Sequence, residues 1–144
     1  MVAAIILWNT VYLNRAVQTL ADRAHFSLLW KRFFEEWDVI LCPAAPTLAY
    51  RHDERPRHFR TLDVDGVHIP YFDQIVWSTI AIPCGLPATI VPAGVDAATG
   101  LPAGVQIIGP AYHDATTIGL ASHLENLLGG FVAPPRLRDA EING

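Results

Sequence analysis

Two apolar runs, Ala88–Val91 and Val105–Ile108, constrain this chain more than any other feature in it. Both are short, rich in β-branched residues and bounded on each side by Gly and Pro, the punctuation of buried strands. They lie within one stretch, Trp77 to Gly109 (WSTIAIPCGLPATIVPAGVDAATGLPAGVQIIG), and a Gly-Leu-Pro triplet precedes each run, at Gly85–Pro87 and Gly100–Pro102. Glycine supplies backbone freedom and proline fixes φ while removing a donor, so the repeated triplet reads as shared turn chemistry. Two strands joined by one turn are expected here.

From about Asn14 to Trp37 the spacing predicts a long, core-facing helix. Val17, Leu20, Ala21, Ala24 and Leu28 form one stripe, which Trp30, Phe33, Phe34 and Trp37 continue. Asp38 follows, and Val39–Cys42 then reads as a short buried strand stopped by Pro43. Arg51 to Arg60 (RHDERPRHFR) mixes both charges around one proline and reads as a solvated surface loop. Thr61 to Ile69 alternates about Asp65-Gly66 and predicts a small hairpin. Between Pro70 and Pro83, Ile75, Val76, Ile80 and Ile82 are compatible with a short helix. Asp114 reads as the N-cap of an amphipathic helix ended by Gly129 and Gly130, and residues 131–144 as a frayed tail.

Composition narrows the function classes. With a net charge of -4, the chain has no electrostatic footprint for nucleic acid or an anionic membrane. The opening MVAAIILW is too short to span a bilayer and lacks the basic start of a signal peptide. Cys42 and Cys84, far apart and without a CxxC, read as reduced core thiols, so a cytoplasmic protein is expected. The six histidines show no metal-ligand spacing, and no Walker loop, dinucleotide fingerprint or GxSxG elbow occurs. Neither a metal nor an organic cofactor is expected. At 51% hydrophobic and only 17% charged, some of this apolar surface is expected to lie against chain that is not here, and Met1 to be an internal or late start in a longer protein.

The quoted motifs carry a resemblance. GLPATIVPAG, a short Asp/Gly loop, GLPAGVQIIGP and a helix led by Asp resemble the C-terminal core of the amidase signature family of serine hydrolases, and so does FFEEWDVILCP upstream. The likeness covers most of residues 14 to 130. It implies an α/β fold with a mixed β-sheet core flanked by helices, the whole chain being a single partial domain. The implied activity is hydrolysis of carboxylic amide C–N bonds other than peptide bonds, giving an acid and ammonia or an amine.

In that family a neutral lysine relays a proton through one serine to activate a second, nucleophilic serine. Nothing here matches that Gly/Ser-rich segment. The only serines are Ser27, Ser78 and Ser122, isolated from one another, and the only lysine is Lys31, within the aromatic helix. No residue of this chain is assigned a catalytic role, and by itself it is expected to be an inactive fragment. By resemblance the stretch before the first Gly-Leu-Pro strand helps wall the acyl pocket, which would make Tyr71, Asp73 and Trp77 substrate-binding residues. Alternatively, Tyr71 and Trp77 are core aromatics and Asp73 caps a helix. Gln106, a polar residue inside an apolar strand, is expected to hydrogen-bond neighbouring backbone. The partners to consider are a small amide substrate of the complete enzyme, a second copy of the chain, or a separately encoded N-terminal half that this module completes. A non-functional gene remnant is the remaining reading.

Overall fold

The structure is a computed structural model that describes residues 2–133, with side chains from Arg15 onward. The chain begins with helix α1 (Val2–Phe33) and strand β1 (Ile40–Pro43). A hairpin of β2 (Thr61–Val64) and β3 (Val67–Pro70) follows, then three 3-10 turns at Tyr71–Ile75, Ser78–Ile80 and Ile82–Cys84. Strands β4 (Ala88–Val95) and β5 (Pro102–Ile108) and helix α2 (Asp114–Leu128) complete it.

The two framed apolar runs are the middle of the molecule. β5 lies between β1 and β4, antiparallel to both, with Gln106 opposite Cys42 on one side and Ile90 on the other. Both strands are longer than the apolar runs alone indicate, because pairing continues through a bulge between Pro92 and Gly94 to Val95 opposite Pro102. A bulge suits proline, which has no N–H to give the ladder. The connecting loop is tied by Asp96, whose carboxylate accepts from the Thr99 N–H and hydroxyl at 2.8 and 2.6 Å. Those bonds hold the Asp96 carboxyl below its ordinary range.

Alternation along the strands sends successive side chains to opposite faces. On one face Ile108 and Cys42 form a small core with Ala81, against which Phe34, Ile40, Trp77, Ile80 and Leu86 pack. On the other face Thr89 and Ile107 are register partners, and the Thr89 hydroxyl donates to that of fully buried Thr117 on α2 at 2.9 Å. The sheet is thus enclosed by α2 on one side and by the 3-10 segment with the end of α1 on the other. The Asp65-Gly66 hairpin forms as the sequence indicates, both residues at positive φ (52° and 83°), as a two-residue turn of this kind requires.

Several local expectations are corrected. α1 ends at Phe33, and only its last turns reach the core; Val17 and Leu20 are 63% exposed, because no described element lies beside that part of the stripe. The stretch from Tyr71 to Cys84 winds into separate 3-10 turns instead of one helix, with Pro70 just before it and Pro83 in its last turn. The N-cap of α2 is His113, not Asp114, which occupies the first helical turn where a carboxylate still favours the helix dipole. Gly129 closes α2 in the left-handed conformation, as expected. Both sheets are antiparallel at every described pairing. Of the tail expected to fray, residues 134–144 lie outside the described residues.

Candidate functional site

Gln106 organises the surface on which the candidate residues sit. It is 4% exposed, and its Nε2 donates to the Trp77 carbonyl at 3.1 Å and toward Cys42 Sγ at 3.3 Å. A buried amide is costly unless paired, so this contact ties the 3-10 segment to the central strand. The expectation that Gln106 serves backbone is met.

Tyr71, Asp73 and Trp77 all lie on that tied segment, in different surroundings. Tyr71 opens the first 3-10 turn, half-buried, with its N–H donating to the Arg60 carbonyl at 3.1 Å. Asp73 is exposed on the same turn; Pro70 is the N-cap and no side chain caps it. The Trp77 ring packs toward the core cluster. Tyr71 lines a cavity of about 510 Å³ whose walls include neither Asp73 nor Trp77.

Three further residues, not singled out by the sequence, meet Tyr71. The Tyr50 ring stands edge-on to it, with centroids 6.1 Å apart, and the Tyr50 hydroxyl donates to Gln74 Oε1 at 2.7 Å. The Arg60 guanidinium lies over the Tyr71 ring, 5.4 Å from its centroid. Hydrogen bonding with Tyr50 first, then with Gln74, holds the Tyr71 phenol below its ordinary range, and Arg60 adds to the effect. The same bond, with burial second, pushes Tyr50 up. A sequence signal for Arg60 existed: Arg60, Leu62 and Val64 share one face of the hairpin by alternation, and all three are shielded while Thr61 and Asp63 are exposed.

Among the described residues no helix is long and apolar enough to cross a membrane, and no group of three or more His, Cys, Asp or Glu side chains is placed to hold a metal.

The antiparallel core, with its framed strands and overlying turn segment, fits what the sequence motifs imply. The family profile described as Amidase matches residues 2–118, and the chain belongs to the amidase family. Its relatives include a glutamyl-tRNA(Gln) amidotransferase subunit from Deinococcus deserti, 36% identical over 104 residues, covering 68% of this chain and 19% of that protein. The protein of the same name from Roseobacter denitrificans is 36% identical over 127 residues, covering 87% of this chain and 23% of its own length. That of Natranaerobius thermophilus is 30% identical over 120 residues, or 83% of this chain and 22% of that protein. The chain thus spans about a fifth of the length of the curated relatives it matches.

Proposed function

We propose that this chain forms the C-terminal part of an amidase-type hydrolase that cleaves carboxylic amides to an acid and ammonia or an amine. The observation that carries the reading is the tied segment itself: Gln106 holds its Trp77 end on the central strand and the Arg60 carbonyl holds its Tyr71 end, so that an aromatic ring and the Asp73 carboxylate sit on a supported turn. In this reading Tyr71 walls the acyl group, the Asp73 carboxylate accepts a substrate N–H, and Trp77 supports both from the core side.

The chain alone is inactive in this proposal, because Lys31 and its three serines do not make a proton relay. The Ser27 hydroxyl donates to the Arg23 carbonyl and that of Ser78 to the Ile75 carbonyl, each bonding its own turn. A second reading, a module that completes a separately encoded half, is favoured by the name of the relatives, which are subunits, and by the exposed Leu41, Ile82 and Ile90. The two free cysteines support a cytoplasmic setting.

Ammonia release from a panel of neutral and carboxylate-bearing amides tests the proposal, first with the chain alone and then with the chain joined to a family segment that carries the two serines and the lysine. The chain alone should release none, and the joined protein should turn over. Asp73→Asn should lower kcat/KM by about tenfold or more, as expected for loss of one charged hydrogen bond. Turnover by the isolated chain would sink the claim of inactivity. A folded joined protein that hydrolyses no amide would sink the amidase reading.

A further inference from the structure

Resting on that reading, we propose that the cavity beside Tyr71 binds a carboxylate, so that the amide substrate also carries a free acid group. The cavity, about 510 Å³, has the size of a small-ligand site. Its walls carry two carboxylates, Asp53 and Asp63, and two guanidinium groups, Arg51 and Arg60. Asp53 takes a bidentate ion pair from Arg55, with the closest approach 2.7 Å, and Asp63 accepts the Gly66 N–H at 3.0 Å with His68 3.8 Å away. Arg51 and Arg60 have no carboxylate partner among the described residues. With Asp53 paired to Arg55 from outside the lining, two guanidinium groups, Arg51 and Arg60, face the cavity against one carboxylate, Asp63, that no guanidinium pairs, an excess of positive charge.

Arg60 is also held in position. Its Nε donates to the Arg55 carbonyl, its plane rests over the Tyr71 ring, and its backbone carbonyl accepts from Tyr71 N. The fork also acts on the Tyr71 phenol, so guanidinium and hydroxyl form one donor cluster, and a planar fork matches a carboxylate with two parallel hydrogen bonds. Tyr71 is shared between this cavity and the proposed acyl wall, so a short substrate can reach both.

The test is a titration of the isotope-labelled full chain, followed by backbone amide and arginine side-chain NMR signals, with succinamate, neutral succinamide and inorganic phosphate as probes. Succinamate should shift the Arg60 and Tyr71 signals saturably, and succinamide should bind about tenfold more weakly or worse. Arg60→Gln should abolish that preference, while Arg60→Lys, which keeps the charge and loses the fork, should retain part of it. A dispersed spectrum for each variant shows that it is folded. Equal binding of succinamide and succinamate, unchanged succinamate binding in folded Arg60→Gln, no binding of either, or tighter binding of phosphate would each overturn the proposal. None of these outcomes depends on hydrolysis of any amide, so the amidase reading stands or falls separately.

Discussion

The Gln106 amide reaches 3.1 Å across from the central strand to the carbonyl of Trp77, twenty-nine residues earlier in the chain. A carbonyl can only accept, so the nitrogen end of the amide must face it. In Gln106→Leu a side chain of similar size fills the space, but the half-buried Trp77 carbonyl keeps only the longer bond from the Ile80 N–H, at 3.4 Å. Urea unfolding should show a loss of about 0.5–1.5 kcal/mol, the net worth of one hydrogen bond. Gln106→Glu should be worse near neutral pH, because it sets a carboxylate against a carbonyl oxygen. If Gln106→Leu is as stable as the parent, the bond does not hold the segment and the support argued for Tyr71 and Asp73 fails.

Where β5 leaves the sheet, Gly109 donates its N–H to the Pro87 carbonyl at 3.1 Å and passes directly under α2. A Cβ at this position would sit 2.7 Å from Thr117 Cγ2, closer than two carbons tolerate. Gly109→Ala should therefore destabilise the fold by about 1–3 kcal/mol through overpacking, and do so without any positive-φ strain. Thr117→Ser removes the offending methyl and keeps the hydroxyl that bonds Thr89. The double variant should recover much of the loss, a coupling that a double-mutant cycle measures directly. Additive losses would mean that the helix does not approach the strand this closely.

Why the central hairpin was legible and the site only half so follows from where each signal resides. Gly85, Pro87, Gly100 and Pro102 act on their own backbone, so their message is local and survives in the sequence. Asp65 and Gly66 do the same for the smaller turn. The alternative kind of information is tertiary. The stripe at Val17 and Leu20 has perfect helical spacing, yet spacing cannot say what lies beside it, and in the described residues nothing does. Arg60 sits among charged residues that are nearly all solvated, and only its alternation with Leu62 separates it from Arg57. Tyr50 and Gln74, twenty-four residues apart, meet because the hairpin folds back between them, which no window of sequence contains. Prolines at positions 70 and 83 marked the ends of the turn segment but not its winding.

Asp53 gives a prediction in which pH and the carboxylate cavity meet. Arg55 bonds it through Nε at 3.0 Å to both oxygens, through a terminal amine at 2.7 Å and through its own backbone N–H at 2.9 Å. Hydrogen bonds from the Arg55 side chain first, then from its backbone, lower the carboxyl from 3.8 to about 2. A carboxyl depressed in the folded state contributes stability above its unfolded value, and that contribution is lost as pH falls from near 3.8 through about 2. The group lies at the surface, so its effect on global stability is small and the titration itself is the better measurement. Carbon-detected NMR of Asp53 should give a midpoint near 2 in the parent and one close to 3.8 in Arg55→Gln. Removing Arg55 also frees the Asp53 carboxylate to turn toward Arg60, whose charge already acts on it weakly. Succinamate binding should then weaken in Arg55→Gln at neutral pH, where the released Asp53 is ionised and competes for the same guanidinium. An unchanged affinity, with the Asp53 midpoint moved as expected, would mean that Arg60 is not the group that receives the ligand.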